Sequence, residues 1–363
     1  MSKKTPIVDS HIHLFPASHL QTLNWYSANH CLASQHSVDQ YRQATSSIST
    51  STSNKYLRGF IFLETDRISS LEESVSTVNP GWEHALDEVS FLARIALGEP
   101  LEGEGHQTID QDLCLGIIPW APVPSGPTVM RKYMAKVYLR AKTPHVQRKI
   151  RGVRYLVQDK PSGVILQPGF VASIRWLGEA GLSFDLGVDA RCGGLHQLRE
   201  AVQMMKMVYE KDSAVKIIIN HLCKPNLQLS PNSIATHPEY LEWKELISGM
   251  ARLSKNTYMK LSGVFSELPP GIVEDLDIFG LADSLRPWTD VVFDVFGADR
   301  IMFGSDWPVC NVGGGKDAWN RWRQIVELIL ERRGLNEEEM KGIWGQVSVR
   351  AYGLEVDMLQ STA

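Results

Sequence analysis

The chain of 363 residues lacks three features that would assign it to a common class of protein. Its five cysteines are scattered without a C-x-x-C pair, which excludes a disulfide framework or a zinc knuckle and predicts buried thiols in a reducing compartment. Lysine and arginine (37) nearly balance aspartate and glutamate (41), so the basic excess typical of nucleic-acid binders is missing. No apolar run reaches the roughly 18 residues of a membrane span, and no apolar signal segment follows the first residues. We therefore expect a cytoplasmic protein without a nucleic-acid or membrane partner.

The sequence does contain a repeated alternation of short β-branched or aromatic runs with helical patterns, which predicts an α/β fold with a parallel sheet. Eight such runs occur, which is the number that a (β/α)8 TIM barrel requires. The predicted strands are 7–13, 57–64, 114–121, 150–157, 183–188, 215–221, 257–264 and 300–306. The predicted helices are 69–97, 128–142, 170–180, 194–209, 240–253, 317–333 and 337–344.

The chain is about a hundred residues longer than a minimal barrel of roughly 250 residues. We assign the excess to loop insertions at 14–56, 99–112 and 225–238. The Ser/Thr-rich tract 44–54 in the first insertion has few apolar residues and is predicted to be a mobile surface loop. One domain over 1–363 accounts for this organisation.

Polar residues follow most of the predicted strands, at the end of the barrel where active sites lie. His11 and His13 are two residues apart on the first strand, so their side chains point to the same face. Closure of a barrel puts the eighth strand beside the first, which brings Asp306 within reach of both histidines. His221 ends the sixth strand. A carboxylate that activates water beside groups that stabilise a developing oxyanion is suited to the hydrolysis of an acyl compound.

Six motifs in this order resemble the amidohydrolase superfamily, specifically its amidohydrolase-2 branch with the sugar lactonases and the pyrone-dicarboxylate lactonase. They are the stretches 8–14, 152–154, 184–186, 220–225, 259–263 and 304–308, so the resemblance extends over nearly the whole chain. It implies a barrel enzyme that opens a sugar-acid lactone, such as L-rhamnono- or L-fucono-lactone. In this interpretation Asp306 activates the water and His221 assists.

Two differences from the binuclear members of the superfamily bear on the metal. Arg154 stands where those members carry a bridging lysine, and the fifth strand has Asp185 and Asp189 but no histidine. The resemblance therefore implies one divalent ion, such as zinc or manganese, or none. The predicted metal ligands are His11, His13, Glu64 and Asp306. For Glu64 an ion pair with Arg67 or Arg58 is an equal alternative.

Cations and aromatic residues near the strand ends are the candidates for binding the substrate. The cations would hold hydroxyls or a carboxylate and the aromatic rings would stack on the sugar, although aromatic residues more often belong to a core. The predicted substrate-binding residues are Arg154, Lys224, Lys260, Trp25, Tyr26 and Trp307.

Other functions remain open from the sequence. A metal-dependent decarboxylase would use the same histidines and Asp306, and a hydrolase of another carboxylic ester or of a pyrone lactone would need a similar site. A binding protein without catalysis is a third possibility. The glycine run at 313–315 lacks the flanking residues of a phosphate-binding loop. From the resemblance, the small-molecule partner is expected to be a sugar lactone. A homo-oligomer is compatible with the sequence.

Overall fold

Eight parallel strands form the centre of the structure, a computed structural model that describes residues 4–49, 54–73, 81–356 and 358. They are β1 Thr5–Ile12, β2 Lys55–Leu63, β3 Cys114–Ile118, β4 Gly152–Arg154, β5 Ser183–Leu186, β6 Ile217–Ile219, β7 Thr257–Leu261 and β8 Ile301–Phe303. Ladders run β1-β2-β3 and β4 to β8 in order. A parallel bridge between Ile117 and Ile150 joins the two groups, and a bridge between Ile12 and Trp307 joins the end of β8 to β1. The predicted (β/α)8 barrel is confirmed.

Helices surround this barrel and connect successive strands. They are α1 Val38–Thr45, α2 Glu83–Leu97, α3 Pro127–Arg140, α4 Pro144–Gln147, α5 Pro168–Glu179, α6 His196–Tyr209, α7 Pro238–Leu253, α8 Ile272–Asp275, α9 Ile278–Phe296, α10 Asn311–Gly314, α11 Ala318–Arg332, α12 Glu337–Lys341 and α13 Val347–Tyr352. Within the described ranges, no helix has the length and apolarity of a membrane span. The expectation of one domain over 1–363 stays a prediction.

The alternation of side chains along the strands divides the core in two. On β6, Ile217 and Ile219 pack outward against the helices, whereas Ile218 points into the barrel and joins a smaller cluster. Residues of α13, including Tyr352, close the lower end of this interior. The opposite end of the interior, beyond the carboxyl ends of the strands, is lined by polar groups.

All eight predicted strands exist, but most ladders end earlier than the sequence suggested. The sixth strand was predicted to reach His221 and ends at Ile219, and the eighth was predicted to reach Asp306 and ends at Phe303. The reason is that polar residues such as His221 and Asp306 follow the last ladder residue, depart from the strand direction and line the cavity. Apolar patterning alone does not distinguish these two parts of a strand.

Three helix and loop predictions need correction. The helix expected over 69–97 begins at Glu83, because Gly81 has a left-handed φ of 55° that a helix cannot continue, and residues 74–80 lie outside the described part. Helix α9 was not predicted; it carries Pro287 in its interior. The first insertion holds α1 with buried Tyr41, and the tract 44–54 contains the end of α1 and a short 3-10 turn at Ser46–Ser49; residues 50–53 lie outside the described part.

The cysteines are all free, as expected, but not all are buried. Cys114, Cys223 and Cys310 are buried, whereas Cys31 and Cys192 are exposed. The two exposed thiols lie on loops after β1 and β5, beyond the packed strands and helices.

Candidate active site

One carboxylate oxygen lies at the centre of a cluster of three imidazoles. Asp306 Oδ1 is 3.4 Å from His11 Nε2, 3.4 Å from His13 Nε2 and 3.7 Å from His221 Nε2. The two nitrogens of His11 and His13 are 3.2 Å apart. All four side chains are buried or nearly so, with Asp306 3% exposed. The structure thus brings together four residues from the first, sixth and eighth strands, as the sequence predicted.

Hydrogen bonds from the first strand fix the backbone that carries Asp306. The Asp306 amide donates to the carbonyl of His11 at 2.8 Å, and the Ser305 amide donates to Asp9 Oδ1 at 2.8 Å. Asp9 Oδ2 accepts from Tyr41 Oη at 3.0 Å and from Trp319 Nε1. Asp306 itself has a φ of 63°, a left-handed conformation that non-glycine residues rarely adopt. The contacts of Asp9 hold this turn in place.

His221 begins an unusual turn of four successive residues with positive φ. The values are 54° for His221 and 46° for Lys224, with Leu222 and Cys223 between them. Left-handed backbone costs about 1–2 kcal/mol per non-glycine residue, so the surrounding packing must stabilise the turn. Its effect is to direct both His221 and Lys224 into the same cavity.

The ring of His221 is held between Ser262 and Gly263. Its Nδ1 lies 2.9 Å from Ser262 Oγ. Gly263 has a φ of 65°, and a Cβ at this position would lie 2.3 Å from His221 Nδ1. The close approach of the ring therefore requires glycine at position 263.

Burial determines the ionisation of the histidines. It lowers the pKa of His221 to about 3, although the charge of Asp306 opposes the shift. It also lowers the pKa of His11 well below its usual value, and the positive charge of Lys260 adds to that decrease. Both rings are neutral at pH 7. Burial disfavours the charged form of Asp306, but His221, His13 and Lys224 together bring its pKa below the ordinary value. The site therefore combines an ionised carboxylate with the neutral imidazoles of His11 and His221.

The cluster has donor atoms of the kind and spacing that a divalent metal requires. His11, His221 and Asp306 each offer a ligand atom within 4.8 Å of the other two. The predicted ligand His13 has its Nε2 3.2 Å from His11 Nε2 and 3.4 Å from Asp306 Oδ1. Ligands about 2.0–2.1 Å from a tetrahedral zinc are about 3.3–3.4 Å from one another, close to these two distances. These four side chains could hold one ion.

A cavity of about 260 Å³ opens above the cluster and is lined by both apolar and polar residues. This is slightly smaller than typical sites for drug-sized ligands, which suits a small metabolite. Its apolar lining residues are Phe15, Trp25, Leu32, Leu156 and Val309. Its polar lining residues are His13, Thr65, Asp66, Arg154, Gln158, His221, Lys224 and Asp306.

Half of the predicted substrate-binding residues line this cavity, namely Arg154, Lys224 and Trp25. Lys260 is fully buried below the cluster, where its Nζ pairs with Asp185 at 2.6 Å, so it does not reach the cavity. Trp307 is 2% exposed and packs against the ring of Tyr41 in the core.

Two further expectations are corrected by their local contacts. Tyr26 is half-buried in the same loop as Trp25 but does not line the cavity. Glu64, a predicted metal ligand, is fully buried beside the cluster. Its Oε1 accepts from Arg154 Nε at 2.5 Å and its Oε2 accepts from the Asp66 amide at 2.6 Å. Both carboxylate oxygens are thus engaged. Glu64 forms an ion pair, but with Arg154 rather than with the predicted Arg67 or Arg58, and Arg67 pairs with Glu88 instead.

Several lining residues escaped the sequence analysis. Leu156 and Gln158 follow the predicted Arg154 at every second position and line the cavity with it, which is a signal that strand periodicity could have given. Asp66 is another; burial and the Glu64 carboxylate raise its pKa to about 6. Val309 follows the strand-eight turn and carries no comparable signal.

A larger cavity of about 630 Å³ lies on the outer surface between α9 and α11. Its charged groups are paired with one another, for example Arg332 with Asp283 and Arg333 with Asp290. Because its charged groups are paired and its lining residues include no imidazole, we assign the chemistry to the smaller cavity at the strand ends.

The structure is a closed (β/α)8 barrel with three histidines around one aspartate at its carboxyl-terminal end. This arrangement is typical of a hydrolase site that uses a metal ion or acid-base catalysis. The chain belongs to the amidohydrolase family, whose model matches residues 107–354.

Known proteins similar to this chain include two sugar lactonases. It is 33% identical over 353 residues to L-rhamnono-gamma-lactonase of Scheffersomyces stipitis, a match that covers 97% of this chain and 99% of that protein. It is 27% identical over 212 residues to L-fucono-1,5-lactonase of Burkholderia multivorans, which covers 57% of this chain and 64% of the relative. A crystal structure of an amidohydrolase from Burkholderia multivorans with bound zinc has a TM-score of 0.68 at 22% identity, over 96% of this chain and 99% of that one.

Proposed function

We propose that this protein is a lactonase that hydrolyses the cyclic ester of a sugar acid, with L-rhamnono- and L-fucono-lactone as the first candidates. The observation that carries the proposal is the ionised Asp306 beside the imidazoles of His11, His13 and His221 at the floor of a small cavity. The similarity to L-rhamnono-gamma-lactonase over 97% of the chain supports the substrate class.

The cavity contains the groups that ester hydrolysis requires. Asp306 accepts a proton from a water molecule, which attacks the lactone carbonyl. Arg154, Lys224 and His221 face the same space and stabilise the negative charge that develops on the carbonyl oxygen. The bond between the carbonyl carbon and the ring oxygen then breaks, and the ring oxygen takes up the proton that Asp306 accepted. The product is the open-chain sugar acid.

A divalent metal is compatible with this scheme. His11, His13, His221 and Asp306 would hold it. A bound ion would act as a Lewis acid that polarises a carbonyl oxygen. Arg154 and Lys224 supply positive charge to the same cavity independently of a metal.

The mixed polar and apolar lining of the cavity favours a deoxy sugar. Hydroxyl groups can bond to Asp66, Gln158 and Arg154, whereas a methyl group or the flat face of a ring fits against Trp25 and Leu32. A dicarboxylate substrate would leave its second charge without a convergent set of cations. Other carboxylic esters and pyrone lactones are therefore less suitable substrates.

A decarboxylase would use the same histidines and Asp306, and it is separated from a lactonase by its products. We further propose a cytoplasmic protein of one domain that acts on a small molecule, either as a monomer or as a homo-oligomer.

A screen of aldonolactones with a pH indicator tests the function. We expect acid release from a six-carbon deoxy-aldonolactone well above the spontaneous rate, with no carbon dioxide from a dihydroxybenzoate. The screen is run on metal-stripped protein and again with added zinc or manganese. Absence of hydrolysis of every aldonolactone under all three conditions, or release of carbon dioxide instead, would rule the proposal out.

Substitution of Gly263 by alanine tests whether the position of His221 matters to turnover. We expect a loss of about 100-fold in kcat/KM, because the new Cβ displaces the ring and small misplacements in a site have effects of that size. Gly334 is a matched control, since it has the same φ of 65° and open space around its Cβ position. Gly334→Ala shares the backbone strain but should keep full activity. Equal activity of the two variants would contradict the assigned role of His221.

A further inference from the structure

Lys260 connects the buried interior of the barrel to the catalytic cluster. It lies on β7, is fully buried, and its Nζ is 2.6 Å from Asp185 Oδ1 and 3.3 Å from His11 Nδ1. Tyr352 donates from Oη to the Asp185 carboxylate at 2.9 and 3.0 Å. The Asp185 carboxylate thus accepts hydrogen bonds from both Lys260 and Tyr352, which fixes the Lys260 side chain in this position.

The contact between Lys260 and His11 determines which nitrogen of His11 carries the proton. A lysine ammonium group has three N–H donors and no acceptor. His11 Nδ1 must therefore accept, and a neutral imidazole that accepts at Nδ1 has its hydrogen on Nε2.

His13 is oriented by a different contact. Its Nδ1 is 3.0 Å from the carbonyl oxygen of Leu63, which can only accept, so His13 carries a hydrogen on Nδ1. His11 Nε2–H can then donate to Asp306 Oδ1 at 3.4 Å.

Binding of a metal through His11 Nε2 conflicts with this arrangement. The ligand nitrogen needs a free lone pair, which moves the hydrogen to Nδ1, where it would face the N–H groups of Lys260. A metal-binding histidine normally donates its other N–H to a carboxylate or carbonyl group, and Lys260 offers neither.

We propose that Lys260 is a positioning residue that holds His11 as a hydrogen-bond donor toward Asp306 and thereby weakens the affinity of the cluster for divalent metal. It orients the carboxylate of a lactonase site, so its importance for turnover rests on the proposed function. Its effect on metal affinity does not, and metal binding is measured without substrate.

The test compares zinc affinity of metal-stripped, full-length variants by calorimetry. Lys260→Met combined with Asp185→Asn removes both buried charges together, which limits the damage to folding. We expect this double variant to bind zinc about 10- to 100-fold more tightly than the wild type, in line with the loss of one charge-assisted hydrogen bond that opposes binding. Lys260→Arg keeps a cationic donor and should retain the weak affinity of the wild type. Equal affinity of the folded double variant and the wild type would overturn the proposal.

A spectroscopic measurement on the wild type tests the proposed role of Lys260 even if the double variant does not fold. In protein with ¹⁵N-labelled histidine, assigned by loss of signals in His11→Gln, we expect His11 to be protonated at Nε2 and bare at Nδ1. His13 should be protonated at Nδ1. A His11 protonated at Nδ1 in the metal-free wild type would disprove the role of Lys260.

Discussion

Substitution of Asp306 by asparagine is expected to lower kcat for lactone hydrolysis by about 10²- to 10⁴-fold, which is the usual contribution of a general base. The amide cannot accept the proton from water, whereas its shape preserves the contacts with His11 and His13. Hydrolysis rates are measured by acid release, and folding is checked by circular dichroism and the melting temperature.

The control is the same exchange outside the site. Asp283 lies in the outer cavity between α9 and α11, so Asp283→Asn removes a carboxylate without touching the cluster. It should retain the activity of the wild type. If Asp306→Asn retained more than about a tenth of the wild-type kcat, Asp306 could not be the base.

Replacement of Arg154 by methionine is expected to reduce both activity and stability. Arg154 is 5% exposed and donates from Nε to Glu64 Oε1 at 2.5 Å and from Nη2 to the carbonyl of Glu64 at 2.7 Å. Its loss leaves the fully buried Glu64 carboxylate without its cation, which costs about 3–5 kcal/mol of unfolding free energy. The substrate also loses a cation that faces the cavity. Urea unfolding and steady-state kinetics measure the two effects.

A second substitution separates these effects. Glu64→Gln in the Arg154→Met background removes the uncompensated charge, so we expect it to recover a large part of the lost stability. It should not recover kcat/KM, because the cation in the cavity is still missing. Recovery of activity together with stability would show that Arg154 is only structural.

Much of the fold and the centre of the site could be predicted from the sequence. The eight apolar runs fixed the barrel, because a parallel strand that is covered on both faces must be apolar along its length. The spacing of His11 and His13 put both rings on one side, and closure of the barrel brought Asp306 to them. Helix α9 was missed because the proline in its interior is a signal against a helix.

The sequence by itself determined which residues lie on which strand and which face of the barrel. Trp307 is an exception, since it was predicted to bind the substrate, whereas the left-handed turn at Asp306 leaves it packed on Tyr41 in the core. Tertiary structure decided how deep a side chain lies and what it contacts. Lys260 lies within the β7 ladder, below the cavity, whereas Asp306 lies beyond the end of its ladder.

The partners of the buried charges were decided in the same way. Glu64 binds Arg154 from a strand ninety residues away, and Lys260 binds both Asp185 and His11. Periodicity carries no information on such pairs, because they depend on the register between strands and on which carboxylate lies next to which cation. The sequence therefore determined the chemistry available at the end of the barrel, and the folded structure determined which of those groups face the substrate.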